Sequence, residues 1–168
     1  MPAFRLPVRL VTRLLIHGRS MEPTFSDGQR VWASPLPYWF SAPARGDVVA
    51  VWVPPEATQL VLKRIVGLPG EGVSWTGNAI TIDGALLDEP YAHVPPSVPG
   101  DEPAECRLAR DHYFIAGDHR LASRDSRHYG PVARRMIYGK VLGVPRSDPA
   151  RSCAGRARPA CPNTSRSA

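Results

Sequence analysis

The stretch Gly18-Arg19-Ser20-Met21-Glu22-Pro23-Thr24, read together with Leu60-Val61-Leu62-Lys63-Arg64-Ile65-Val66, organises the rest of the chain. A serine hydroxyl is a poor nucleophile near neutral pH and needs a base close to it. Pro23 has a fixed φ angle and biases the preceding residue to an extended conformation. The first stretch is therefore predicted to hold Ser20 on a stiff, non-helical turn.

The second stretch is predicted to be a β-strand that supplies the base. Alternation along a strand puts Lys63 on the same face as Val61 and Ile65. A lysine among β-branched apolar neighbours is desolvated, which lowers its pKa and allows a neutral amine to act as a base. Ser20 and Lys63 are therefore the candidate catalytic residues, as a Ser-Lys dyad.

Further motifs follow these two in a fixed order. They are Arg45-Gly46-Asp47-Val48-Val49, the continuation Gly67-Leu68-Pro69-Gly70-Glu71, the shorter Ile82-Asp83-Gly84 with Glu89-Pro90-Tyr91, and the segment from Gly117 to Arg127. With the Ser20 and Lys63 stretches, this series resembles the type I signal peptidases, including their mitochondrial inner-membrane peptidase-like members. The resemblance covers roughly residues 17 to 145.

The fold class predicted from the sequence is mostly β. Short strands separated by turn signals favour an antiparallel β fold, and the resemblance implies an antiparallel catalytic domain with a smaller β insertion. We predict four parts: a basic N-terminal segment (1–16), a catalytic domain in two pieces (17–71 plus 112–147), a small β insertion (72–111) and a disordered basic tail (148–168).

Local patterns give the finer expectations. Residues 8–16 are predicted to form a strand, with an interfacial amphipathic helix as the alternative. Residues 72–93 are predicted to form a hairpin around the Gly77-Asn78 turn. Residues 94–105, rich in proline and acidic residues, are predicted to form a surface loop.

The resemblance also implies roles for individual side chains. Ser123 matches a serine that hydrogen-bonds the catalytic lysine and orients it. Asp118, Asp125 and Arg127 match structural residues of the same loop, the last two as an ion pair. The Ser20 backbone N–H is the expected first oxyanion donor. Some members carry a serine two residues before the nucleophile, whereas this chain has Gly18, so that second hydroxyl donor is absent.

His119 offers a competing mechanism, because it stands where the family pattern usually has asparagine. A Ser-His-Asp triad would need Asp118 to orient the His119 ring. Adjacent side chains point apart, so the dyad is the preferred interpretation. The remaining histidines lack the paired spacing of metal ligands, and we predict neither a metal nor a cofactor.

Positive charge is concentrated at the two ends of the chain. Residues 1–19 carry four arginines and no acidic residue, and residues 146–168 carry five arginines and one aspartate. The nearly balanced middle argues against a nucleic-acid partner, and basic ends suit an anionic membrane surface. A solvated tail is the alternative at the C-terminal end.

An aromatic cluster adds a membrane candidate. Tyr38, Trp39 and Phe40 lie in a segment bounded by prolines, and they pack either in the core or at the bilayer interface. No stretch reaches the roughly 20 apolar residues of a transmembrane helix. We expect a membrane-associated protein with its active site on the extracytoplasmic side, or a soluble one if an anchor is truly missing.

These patterns predict a serine endopeptidase that removes N-terminal signal or targeting peptides from preproteins. The resemblance implies small residues at the positions one and three before the cut. The alternative is a soluble maturation protease of the same superfamily that cuts one dedicated pro-protein. A non-catalytic membrane-surface module would use only the basic ends and the aromatic cluster, and the presence of Ser20, Lys63 and Ser123 argues against it.

Overall fold

Two antiparallel sheets make up most of what the computed structural model describes, which is residues 10–53, 60–93 and 102–145. This confirms the predicted mostly β, antiparallel fold class. The strands are β1 (Thr12–Leu15), β2 (Arg30–Ser34), β3 (Val48–Trp52), β4 (Leu60–Gly67), β5 (Gly72–Thr76), β6 (Ala79–Ile82), β7 (Ala85–Leu86), β8 (Pro103–Arg107), β9 (His112–Ala116), β10 (Val132–Ala133) and β11 (Ile137–Gly143). Two single-turn α-helices, α1 (Pro37–Phe40) and α2 (Ser126–Tyr129), and two 3-10 turns, Arg120–Ala122 and Arg134–Met136, connect them.

The larger sheet has seven strands in the order β1-β2-β11-β3-β4-β9-β10. Strand β4 is hydrogen-bonded to β3 on one side and β9 on the other, with Val49 opposite Lys63. The backbone N–H and C=O groups of such an interior strand are paired on both sides and are not exposed at a sheet edge. The cluster beneath this part of the sheet consists mainly of β-branched residues, which include Val49, Val51, Ile65, Ile115 and Val132.

The smaller sheet has four strands in the order β7-β6-β5-β8. Strands β5 and β6 form the predicted hairpin, with Thr76 opposite Ala79 across the Gly77-Asn78 turn. Its apolar face joins the larger sheet at Gly67, where an added Cβ would lie 2.8 Å from Val73 Cγ2 and 2.9 Å from Phe114 Cβ. Only glycine leaves room for this close approach of the two sheets.

Strands β1 and β8 occupy two of the segments for which local patterns gave finer expectations. The strand expected over residues 8–16 is present as β1, and residues 1–9 lie outside the described part of the chain. The loop expected over residues 94–105 is wrong at its C-terminal end, because β8 pairs with β5 along its whole length. Residues 94–101 of that expectation and the predicted tail, 148–168, lie outside the described residues.

Candidate active site

Backbone hydrogen bonds fix the turn that carries Ser20. The Glu22 N–H donates to the Arg19 carbonyl at 3.1 Å, and the Phe25 N–H donates to the Met21 carbonyl at 2.9 Å. The Ser20 carbonyl itself accepts from the His119 N–H at 3.1 Å. The turn is therefore tied both to itself and to the loop that follows β9.

The conformation of Gly18 accounts for a glycine two residues before Ser20. Its φ angle of +87° lies in the left-handed region, which a side chain disfavours. Its N–H donates to Asp27 Oδ1 at 2.8 Å. The backbone here needs glycine for its shape, and the position offers no hydroxyl to the site.

Lys63 is buried in β4, with only 4% of its surface exposed. Its Nζ donates to Ser123 Oγ at 3.0 Å, and Ser123 is buried as well. Burial lowers the pKa of Lys63 from its ordinary 10.5 to about 8, although the charge of Asp125 opposes the effect. Near pH 8 a large fraction of this amine is neutral and has a lone pair to accept a proton.

Ser20 and Lys63 line the same cavity of about 480 Å³. The rest of its wall comes from the end of β1, the turn after it and the start of β4. Those residues are His17 and a mostly aliphatic set: Leu15, Ile16, Met21, Leu60, Val61 and Leu62. We call this the apolar cavity. A proton acceptor and a hydroxyl thus line one cleft, and the aliphatic part of that cleft suits small apolar groups.

Asp125 holds the loop that carries Ser123. Its carboxylate accepts from the Gly117 N–H at 3.0 Å and forms an ion pair with Arg127 Nε at 2.9 Å. It also caps the N-terminus of α2, where His128 completes a capping box. Burial raises the pKa of this carboxyl, but the hydrogen bond and charge of Arg127 outweigh it and hold the pKa below its usual value. The structure thus brings the expected ion pair together.

Asp118 binds other partners than His119. Its two oxygens accept from Arg64 Nε at 2.8 Å and Arg64 Nη2 at 2.6 Å, and it also accepts from Thr24 Oγ1. The buried His119 Nδ1 has no hydrogen-bond partner within the described residues. The carboxylate that the alternative triad requires is therefore already engaged.

This Arg64-Asp118-Thr24 network was missed by reasoning from the sequence. It joins the Ser20 turn, the strand of Lys63 and the loop of Ser123, and the Arg64 guanidinium also lies 4.0 Å from the centre of the Tyr91 ring. All of these positions lie within the quoted motifs, but nothing in the motifs says which side chains pair.

A close approach at Gly117 completes the arrangement. An added Cβ at this position would overlap the Ser123 side chain and the Ser20 carbonyl. The glycine therefore lets the loop carrying Ser123 press against the turn carrying Ser20.

The aromatic cluster divides into one core residue and two surface residues. Tyr38 is only 9% exposed, belongs to the core cluster and donates from its hydroxyl to Asp47 Oδ2 at 2.9 Å. It is a core residue, so its inclusion among the membrane-contact candidates is wrong. Trp39 and Phe40 are 57% and 88% exposed. Within residues 10–53, 60–93 and 102–145, no helix has the length and apolar character needed to cross a membrane.

Comparison with known proteins gives consistent matches. The family model "Signal peptidase, peptidase S26" matches residues 3–144. The chain is 35% identical over 136 residues to "Signal peptidase I" of Leptolyngbya laminosa, a match that covers 76% of this chain and 64% of that protein. It is 29% identical over 147 residues to "Signal peptidase IB" of Staphylococcus aureus (strain Mu50), covering 79% of this chain and 76% of that protein.

A solved structure matches as well. The crystal structure of a signal peptidase I from Enterococcus faecalis V583 superposes with a TM-score of 0.50 at 29% identity. The match covers 60% of this chain and 97% of that chain.

Proposed function

Because this chain belongs to the peptidase S26 family, serine peptidases of the signal peptidase I type, we propose that it removes N-terminal signal or targeting peptides from preproteins by a Ser-Lys dyad. One observation carries this proposal. Lys63 is buried, hydrogen-bonded to Ser123 and placed in the same cavity as Ser20. The relatives named above are all signal peptidases, which favours this function over a dedicated maturation protease.

In the proposed mechanism, neutral Lys63 accepts the proton of the Ser20 hydroxyl as Oγ attacks the carbonyl carbon of the scissile bond. The Ser20 N–H stabilises the oxyanion of the tetrahedral intermediate. Protonated Lys63 then gives its proton to the leaving amine, and the signal peptide remains attached to Ser20 as an ester. A water molecule, deprotonated by Lys63, cleaves the ester and restores the hydroxyl.

Ser123 and the paired residues around it are proposed to position the base. The hydroxyl of Ser123 accepts a hydrogen bond from Lys63 Nζ and fixes where the nitrogen lies. Asp125 and Arg127 hold the loop of Ser123, and Asp118 ties that loop to Arg64, the residue after Lys63. A base supported in this way keeps its orientation without a catalytic histidine.

The apolar cavity is proposed to receive the residues that precede the cut. Away from His17 and the Ser20–Lys63 pair its wall is aliphatic, so a charged or strongly polar side chain placed against that part would lose hydration without compensation. Small apolar residues at the positions one and three before the scissile bond fit this environment.

Single substitutions test the dyad. Ser20→Ala and Lys63→Ala should each abolish cleavage of a preprotein whose signal ends in Ala-x-Ala, because partners that act as a unit lose nearly all activity singly. His119→Gln is the control and should keep its activity. Circular dichroism checks that each variant is folded. Activity in Lys63→Ala together with loss in His119→Gln would favour the triad.

We further propose that Trp39 and Phe40 contact the bilayer interface and keep the active site on the extracytoplasmic membrane surface. Their exposure at the end of α1 supports this role, since tryptophan is favoured at the membrane–water interface. Trp39→Ser and Phe40→Ser should weaken flotation with anionic liposomes. Leu86→Ser, which alters an exposed leucine of the smaller sheet, is the matched control. Unchanged flotation of the first two variants would contradict membrane docking by this pair.

A further inference from the structure

A second cavity, of about 350 Å³, meets the apolar cavity at Ser20 and Lys63. The two cavities share only His17, Ser20, Val61 and Lys63. Beyond these, the second cavity is bounded by the residues before Ser20, the end of β3 and the loop after Arg120; its separate lining is Gly18, Arg19, Val53, Ala122, Arg124 and Tyr129. We call it the basic cavity.

The charge of the basic cavity differs from that of its neighbour. Its lining includes two exposed arginines and Lys63 but no acidic residue. Arg19 is partly neutralised, because its Nε lies 3.0 Å from Glu22 Oε2. Among the residues that the structure describes, Arg124 takes part in no ion pair. Its charge is therefore available to an anionic group that enters from solvent.

A buried hydroxyl without a partner lies in the same wall. The Tyr129 OH is inaccessible to solvent and has no hydrogen-bond partner in the described part of the chain. Burial raises the pKa of Tyr129, the charge of Asp125 raises it further, and the nearby charge of Arg124 only partly opposes them. The hydroxyl stays protonated, so it is a donor that lacks an acceptor. Native proteins rarely leave such a group unsatisfied, so an ordered water or a ligand is expected to complete it.

The order of a peptide across the dyad decides which part of the substrate reaches this cavity. The scissile carbonyl must lie at Ser20 Oγ, where the two cavities meet. The segment before the cut is small and apolar and fits the aliphatic cavity. The residues after the cut must then leave on the other side of the dyad, along the wall that holds Arg124 and Tyr129.

We propose that the basic cavity binds the first two residues after the cut and selects preproteins that carry aspartate or glutamate there. The substrate carboxylate pairs with the Arg124 guanidinium, and it accepts a hydrogen bond from the Tyr129 hydroxyl once the ring turns that oxygen toward the cavity. This inference rests on the proposed function and names a further part of its substrate. The pairing site is open to solvent at Arg124, so it gives a preference among substrates rather than a strict requirement.

Three peptides test the proposal. They share one signal segment ending in Ala-x-Ala and carry glutamate, glutamine or lysine at both positions after the cut. Mass spectrometry verifies cleavage at the same bond, and kcat/KM is measured for each peptide. The unaltered chain should cleave the glutamate peptide about three- to fivefold better than the glutamine peptide, the range expected of a partly exposed ion pair. The lysine peptide should be slower than the glutamine peptide.

Variants assign the preference to residues. Arg124→Glu should reverse the order, so that the lysine peptide becomes better than the glutamate peptide. Tyr129→Phe should reduce the ratio of glutamate to glutamine while it keeps the ring. Arg135→Glu makes the same charge change at an exposed arginine outside both cavities and should leave the ratios as they are.

Three outcomes would overturn the proposal. Equal kcat/KM for the three peptides would reject the selectivity and leave the proposed function standing. No cleavage of any peptide would reject both. If Arg124→Glu slows all three peptides alike in vesicles of anionic lipid but not in neutral detergent, the arginine serves the lipid surface and not the substrate.

Discussion

The burial of Lys63 sets the pH range in which the proposed dyad can work. Its pKa is lowered by burial from 10.5 to about 8. At about 1.4 kcal/mol for each pKa unit, burial disfavours the charged amine by about 3 kcal/mol. At pH 7 about one molecule in ten then has a neutral Lys63. An unburied lysine would be neutral in about one molecule in three thousand.

We therefore predict that kcat/KM rises with pH and is half-maximal at about pH 8, as neutral Lys63 accumulates. Lys63→Arg should be inactive across the same range, because a guanidinium does not lose its proton. The cleavage of an Ala-x-Ala peptide in detergent, followed from about pH 6 to about pH 11, gives the profile. Product formation is scored by mass spectrometry, so that alkaline hydrolysis of the peptide is subtracted.

The profile could also reflect a histidine beside the nucleophile, and a variant separates the two. His119 is bonded through its backbone to the Ser20 carbonyl. The alkaline limb should persist at the same pH in His119→Gln. A limb near 10.5, or one that moves when His119 is replaced, would refute the argument that burial makes Lys63 the base.

Three further predictions concern stability. Lys63→Met should raise the free energy of unfolding by up to about 3 kcal/mol at pH 7. Between about pH 8 and about pH 10.5 the unfolded chain holds the lysine proton and the folded chain does not, so the free energy of unfolding of the wild type rises across that window and the advantage of Lys63→Met fades. Urea titrations at several pH values measure both effects. Asp125→Ala should lower the free energy of unfolding by about 3–5 kcal/mol, since Arg127 is left buried and unpaired, and urea titration should show that Asp125→Ala/Arg127→Met recovers part of the loss. Gly117→Ala should cost about 1–3 kcal/mol and reduce cleavage, because the Cβ overlaps Ser123; thermal unfolding and the peptide assay measure both, and a neutral result in either would contradict the close packing.

Local patterns were sufficient to predict the environment of Lys63. Alternation along β4 placed Val61, Lys63 and Ile65 on one face, and in the structure Ile65 is a core residue with Val61 packed against its cluster. Such a prediction needs only the residues of one strand. The partners of Asp118 could not be found in this way, because Arg64 and Thr24 reach it from segments far apart in the sequence. Their proximity depends on the topology of the sheet, which no single segment of the sequence encodes.

Strand β8 shows a second reason why sequence patterns fail. Its residues include a proline and a glutamate, which are uncommon in strands, and its outward positions are exposed. Pro103 is tolerated because it is the first residue of an edge strand. What makes the segment a strand is the free edge of β5 beside it, which lies some thirty residues earlier in the chain.

The aromatic cluster is a further case in which composition alone does not predict burial, here over three consecutive residues. Composition treats Tyr38, Trp39 and Phe40 as one apolar group. In the single turn of α1, neighbouring side chains point about 100° apart, so they cannot all face the core. Tyr38 is the residue that turns inward, where Asp47 accepts a hydrogen bond from its hydroxyl and satisfies the buried oxygen. That acceptor allows the ring with a hydroxyl to be the buried one, within the apolar cluster that surrounds it.

The arginines of the site help burial to keep the pKa of Lys63 low so close to two carboxylates. Asp125 and Asp118 both raise the pKa of Lys63, and without counter-charges they would oppose the effect of burial more strongly. Each is instead paired with an arginine, Asp125 with Arg127 and Asp118 with Arg64. The charge of Arg127 also acts on Lys63 directly and lowers its pKa. The Asp125–Arg127 ion pair therefore anchors the loop of Ser123, and its arginine offsets part of the field that its carboxylate imposes on the lysine.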